Sequence, residues 1–219
     1  MTTLDQARHE VHAAALRMVA DGLVVGSAGN VSVRLDQHHI VVTAGGVVYQ
    51  KLTPGDHPVV DLRDGSWDGH RQPTSELALH LGVMTAMPDV HAVVHTHSRH
   101  AAAFAVARID LPFICNENMG PACEHVLVTP YAAPGTAELG TAALTTFRRQ
   151  PGSRACLLAN HGVVALGEDV DGAYLVAAQV EWIAEICYLA RTLGGETVLP
   201  VAVQDAVGRH YGITIAHER

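Results

Sequence analysis

Apolar side chains recur at Leu4, Ala7, Val11, Ala14, Ala15, Met18 and Val19, a spacing of about 3.6 residues that predicts an amphipathic helix closed by Asp21-Gly22. The pattern then changes to period two. GSAG leads into the alternating run NVSVR, and IVVTAGG passes from an apolar strand into a flexible turn, so two strand-to-loop junctions are expected. Val59 to Leu62 and the stretch around Trp67 predict short meander strands separated by Asp64-Gly65. Pro73 precedes a Thr74 or Ser75 cap and a helix carrying Leu77, Leu79, His80, Val83 and Met84, which stops near Pro88. HAVVHTH reads as a strand and RHAAAFAVA as a helix. A helix fits Thr136 to Arg149, strands fit ACLLAN and GVVALG, and a long helix fits Val170 to Leu193, closed by Gly194-Gly195. Alternating strands and helices predict an α/β fold. No internal repeat, low-complexity tract or linker interrupts it, so one domain over residues 1–219 is expected.

Composition narrows the function. The chain has 219 residues, 48% of them apolar, enough for a sizeable core. Acidic residues outnumber basic ones 22 to 14 and no basic run occurs, which argues against nucleic acid and anionic membrane partners. No stretch approaches the roughly 20 uninterrupted apolar residues of a membrane span, and MTTLDQARHEVH lacks a signal layout, so a soluble, cytoplasmic protein is expected. Cys115, Cys123, Cys156 and Cys187 form no C-x-x-C pair, which predicts reduced, buried thiols. Lysine occurs once, at Lys51, leaving a single candidate for Schiff-base chemistry.

The 15 histidines carry the candidate chemistry. His95 and His97 lie at the end of a predicted strand, where residues i and i+2 share a face, so two imidazoles converge as zinc ligands do. A surface pairing explains H-x-H equally well in so histidine-rich a chain. His161 sits at another strand end before a glycine that permits a sharp turn, or is an ordinary turn histidine. Glu76 falls in the first turn of a helix, as a ligand or as a carboxylate favoured there by the helix dipole. An amidohydrolase barrel also uses H-x-H, but on its first strand and in a longer chain, and a cupin has few helices.

Five segments taken together, GNVSVR (29–34), GGVVYQKLTP (45–54), PTSE (73–76), HAVVHTHSRHA (91–101) and NHGVVALGED (160–169), resemble in order and spacing the class II aldolase/adducin family. The resemblance covers nearly the whole chain. It implies a three-layer α/β/α fold around a central, mostly antiparallel (mixed) sheet, and a homotetramer with active sites between subunits. It implies one divalent ion per subunit held by His95, His97 and His161, with Glu76 completing the shell and then acting as acid/base. Zinc is the expected ion, with Mn2+, Co2+ or Fe2+ as substitutes. Phosphate-binding turns would be Gly29-Asn30, Gly45-Gly46 and Thr74-Ser75. Tyr211 matches a tyrosine of the family's C-terminal tail, as a proton donor or as an anchor.

The implied activity is reversible retro-aldol cleavage of a small ketose or ketose phosphate, in which a divalent cation stabilises the charge of an enediolate. A β-keto acid decarboxylase, an epimerase or dehydratase of the same family, and a non-catalytic assembly domain are the alternatives. Keeping Glu76 and all three histidines favours an enzyme. Two departures bear on substrate. FICNENM (113–119), with Asn116 and Glu117, stands where sugar-phosphate aldolases carry a tyrosine, and Gly45 replaces a threonine. His91 and His100 are candidates to support the ligands, and Arg99 is either a salt-bridge partner or a contact for an anionic substrate. The remaining histidines, among them His12, His57, His70 and His80, are expected at the solvent or at interfaces.

Overall fold

The computed structural model describes residues 3–115 and 125–211. Its elements, in chain order, are helix α1 (Leu4–Ala20), strands β1 (Asn30–Arg34) and β2 (His39–Val42), two single 3-10 turns (Tyr49–Lys51 and Pro54–Asp56), and strands β3 (Val59–Asp61) and β4 (Trp67–Asp68). There follow α2 (Leu77–Ala86), β5 (Ala92–Thr96), α3 (Arg99–Ala107), α4 (Ala137–Arg149), β6 (Ala155–Leu157), β7 (Val163–Gly167), α5 (Val170–Thr192) and α6 (Val201–Tyr211). Thr3 caps α1 by accepting the Gln6 N–H, and the buried residues Ala7, Val11, Ala14, Ala15 and Met18 are the stripe that the spacing predicts.

The strands form one seven-stranded sheet in the order β4-β3-β2-β1-β5-β7-β6, and every paired strand is antiparallel. Alternation along the strands sends side chains to two different layers. Val31, Val33, Val41, Val94 and Ala165 pack on one face with α1, α3 and α5. Ile40, Val42, Val60, Val93 and Val164 pack on the other with α2 and α4. The fold is the expected three-layer α/β/α arrangement. The antiparallel order refines the plain α/β reading, because helices separate strands in sequence without placing those strands side by side.

Three local differences matter. Helix α2 begins later than the Thr74 or Ser75 cap implies: the Thr74 hydroxyl and carbonyl accept the N–H groups of Glu76 and Leu77 in a preceding turn, so Glu76 itself sits at the cap position and makes no capping bond. Helix α6 was not anticipated. It is tied to the body through Leu199, whose N–H donates to the Phe113 carbonyl and whose own carbonyl accepts from Gln204 Nε2 at 2.6 Å. Helix α5 is long and apolar enough by composition to cross a membrane. Its stripe of Ala173, Val176, Ala177, Val180, Ile183 and Ala184 is buried in the core.

Candidate active site

Strand β5 is the third from the β6 edge of the sheet, and its His95 faces Asn30 of β1 on one side and Val164 of β7 on the other. His97 follows two residues later on the same face, just past the end of the strand, where its N–H donates to the Leu23 carbonyl. His161 projects from the tight turn between β6 and β7. Asn160 takes a left-handed φ of +59° there, and at Gly162 any Cβ would overlap the Thr96 carbonyl oxygen, so the glycine lets this turn close against β5. Glu76 enters from the start of α2.

These four side chains converge. One nitrogen or oxygen from each of Glu76, His95, His97 and His161 lies within 4.8 Å of all the others. The three imidazole rings stand 4.8 Å apart, centroid to centroid, and tilt 69–75° to one another. Glu76 places Oε2 3.0 Å from His95 Nε2 and Oε1 3.2 Å from His161 Nε2. His95 Nδ1 is 2.7 Å from the Val163 carbonyl, to which it must donate, which leaves Nε2 facing the cluster. His97 Nε2 lies 2.9 Å from that same nitrogen.

The electrostatics agree with a cation site. Burial, with the neighbouring imidazoles, pushes His97 down to about 4, and burial likewise lowers His161, which favours in both rings the neutral form that binds a cation. Burial would raise the Glu76 carboxyl, but His95, the Asn30 amide and His161 outweigh it and hold the group well below the usual carboxylate range. Glu76 Oε1 is buried with no hydrogen-bond donor. A buried carboxylate oxygen left without a donor, beside three convergent imidazoles, is a donor set that could hold a divalent ion.

The cluster opens into a cleft of about 460 Å³. Gly29, Asn30, Gly45, Gly46, Thr74 and Ser75, the six residues of the expected phosphate turns, all line it together with Glu76, His97 and His161. Gly29 is held by contact: at its φ of +72° a Cβ would stand 2.6 Å from both the His95 carbonyl and Val24 Cγ1. Some donors in these turns are already engaged. The Gly45 N–H donates to the Gln72 carbonyl at 3.0 Å, and Asn30 uses Oδ1 on His80 and an Nδ2 hydrogen on Glu76. Lys51 is exposed and does not line the cleft, so no lysine is placed for a Schiff base.

The class II aldolase and adducin N-terminal domain family matches residues 9–188. The chain belongs to that family. It is a class II aldolase, a carbon–carbon lyase. It is 33% identical over 198 residues to the 5-deoxy-D-ribulose 1-phosphate aldolase of Bacillus thuringiensis serovar kurstaki, covering 90% of this chain and 91% of the relative. The 5-methylthioribulose-1-phosphate/5-deoxyribulose-1-phosphate aldolase of Rhodospirillum rubrum is 33% identical over 200 residues, covering 91% and 88% of the two chains. A solved L-fuculose 1-phosphate aldolase superposes with a TM-score of 0.87 at 29% identity, covering 94% of this chain and 96% of that one.

Other residues fall differently from expectation. His57 and His80, expected at the surface or at interfaces, are fully buried, and burial pushes them down to about 4 and about 3. His57 Nδ1 accepts the Ala44 N–H at 3.2 Å, directly before the Gly45-Gly46 turn. His100 pairs with Glu181 of α5 at 2.9 Å, while His91 and Arg99 are exposed. Ser27, Tyr49, Pro134 and Gly135 also line the cleft and were not singled out. Tyr49 donates its hydroxyl to the Gly29 carbonyl at 2.5 Å, and its place inside YQKLTP was the available signal. Cys156 and Cys187 are buried free thiols as expected, and Cys115 is partly buried. Asn116, Glu117, Met119 and Cys123 lie outside the described residues, as does the side chain of Tyr211.

Proposed function

We propose that the chain reversibly cleaves a short ketose 1-phosphate into dihydroxyacetone phosphate and an aldehyde, using a divalent ion held by His95, His97, His161 and Glu76. The observation that carries this reading is the shared cleft, in which the ligand cluster and three small or hydroxyl-bearing turns line one cavity. The relatives named for 5-deoxyribulose 1-phosphate and fuculose phosphate support the substrate class. Three imidazoles with one carboxylate suit zinc. A homotetramer in the cytoplasm, with active sites between subunits, completes the proposal.

Retro-aldol cleavage removes the C4 hydroxyl proton, breaks the C3–C4 bond, releases the aldehyde and leaves the electron pair on an enediolate, which takes up a proton at C3. Bound at this cluster, a divalent ion supplies positive charge to the substrate oxygens on which negative charge develops. The chain's own residues do the rest. Glu76, ionised and only 7% exposed, takes the hydroxyl proton and returns one to carbon. Gly46, Thr74 and Ser75 line the cleft, and the Gly46 N–H with the two hydroxyls would be the donors for a phosphate there.

A substrate panel tests the reading. Purified protein is incubated with fuculose 1-phosphate, 5-deoxyribulose 1-phosphate and sugar-derived β-keto acids, and the products are assayed for aldehyde, dihydroxyacetone phosphate and carbon dioxide. Equal yields of aldehyde and dihydroxyacetone phosphate are expected. Carbon dioxide without aldehyde would replace the aldolase by a decarboxylase of the same fold.

A further inference from the structure

Behind the ligand cluster lies a histidine that touches neither the cleft nor any ligand atom. His80 is 0% exposed and sits on α2 four residues after Glu76, one helical turn away on the same face. Its neighbours on the buried side, Leu79, Val83 and Met84, are apolar, so packing alone would be served by another leucine or methionine. Instead both ring nitrogens are engaged. Nε2 lies 2.6 Å from Asn30 Oδ1 and Nδ1 lies 2.7 Å from Ser32 Oγ. Asn30 in turn directs Nδ2 at Glu76 Oε2, at 2.9 Å.

The direction of every bond in this chain follows from its last member. An ionised carboxylate only accepts, so Asn30 must present its NH2 to Glu76 and its carbonyl to His80. His80 must then donate from Nε2, which leaves Nδ1 to accept the Ser32 hydroxyl. A flipped Asn30 amide would set two acceptors against each other at 2.9 Å. Asn30 and Ser32 are i and i+2 on β1, pointing to the same face, and Glu76 and His80 are i and i+4 at the start of α2. Strand and helix are therefore clipped together at two points, with the catalytic carboxylate at one of them.

We propose that His80 is a positioning residue for the reaction: backed by Ser32, it fixes the Asn30 amide so that Asn30 holds Glu76 Oε2 and leaves Oε1 turned towards His161. This rests on the reading of Glu76 as ligand and acid/base. A carboxylate gripped at one oxygen keeps the other in place for the ion and for a proton, and loss of the grip lets the side chain rotate away from both.

The test is a titration of ion-free protein with Zn2+ against a competing chelator, for the wild type, His80→Leu and His80→Gln, each repeated in a Glu76→Ala background. His80→Leu is expected to weaken zinc binding about 10- to 100-fold, the usual effect of removing support behind a ligand. His80→Gln, which keeps an N–H for Asn30 Oδ1, should recover most of that loss. In the Glu76→Ala background His80→Leu should change affinity less than about twofold, because no carboxylate is left to hold. A residue that merely filled the core would cost the same with and without Glu76, and that result, or wild-type affinity in His80→Leu, overturns the proposal. Should His80→Leu fail to fold, Ser32→Ala carries the same comparison, with a loss of about 2- to 10-fold expected only when Glu76 is present. Wild-type protein that takes up no zinc would instead overturn the metal reading itself.

Discussion

Acidification of the ion-free protein should destabilise it through two histidines that lie outside the ligand cluster. An unfolded histidine titrates near 6.5, whereas burial pushes His57 down to about 4 and His80 down to about 3. Between these values the unfolded chain binds protons that the folded chain refuses, so stability falls as pH falls. It is full above about 6.5 and is lost progressively towards 4 for His57 and 3 for His80. Integrated from pH 8 to pH 5, each group removes about 2 kcal/mol, together about 4 kcal/mol. That is a large share of the roughly 5–15 kcal/mol by which a domain is stable. His12, His97 and His161, whose pKa values are also lowered, act in the same direction. Urea unfolding of chelated protein at pH 8, 7, 6 and 5 reads the effect. With a urea dependence of about 2–3 kcal/mol per molar, the midpoint should drop by at least about 1.3 to 2 M. His57→Gln or His80→Gln should each shrink the drop by about 2 kcal/mol. A midpoint that stays level from pH 8 to pH 5, or a drop that neither variant reduces, would refute the assignment of these rings as buried neutral groups.

Other outcomes follow from the cleft. Glu76→Gln keeps the size of the side chain but removes the base, so turnover should fall by about 10²- to 10⁴-fold even at saturating zinc; unchanged turnover would move the proton transfer to another group. Gly29→Ala and Gly46→Ala share a left-handed φ, +72° and +74°, but a Cβ at Gly29 meets the His95 carbonyl and Val24, whereas one at Gly46 meets nothing within 4 Å. Both should lose about 1–2 kcal/mol to the backbone, and Gly29→Ala about 1–3 kcal/mol more to overpacking. Melting temperatures, at about 2–4 °C per kcal/mol, separate the two, and equal losses would contradict the close approach of the first turn to β5.

Local periodicity made most elements legible and left their arrangement obscure. The bounds of α1 and the runs behind β5 and β7 follow from spacing alone, because each buries one stripe or lies in the sheet interior. The strand order does not, since β1 pairs with β5 across 58 or more residues of intervening chain that carry no trace of the pairing. Helix α6 escaped notice for a related reason: Val201 and Val203 face solvent, and the contacts that anchor the segment, Phe113 with Leu199 and Val207, join parts of the chain far apart in sequence. H-x-H and NHG each mark a strand end, but alone they fit a surface pair or a turn histidine as well, and it was the family resemblance that joined them with Glu76 into one candidate ligand set. His80 was not legible. A histidine on an apolar helix stripe looks like any other of 15, and its role becomes visible only when β1 places Asn30 and Ser32 opposite it.

The claim that Glu76, His95, His97 and His161 hold the ion on which cleavage depends is tested most directly by counting metal and turnover in the same sample. Purified wild-type protein should contain one divalent ion per chain, lose carbon–carbon cleavage in proportion as a chelator removes it, and regain cleavage with added zinc, while His95→Ala should hold neither ion nor activity. Full aldehyde release from protein stripped to a few hundredths of an ion per chain, or wild-type ion content in His95→Ala, would contradict it.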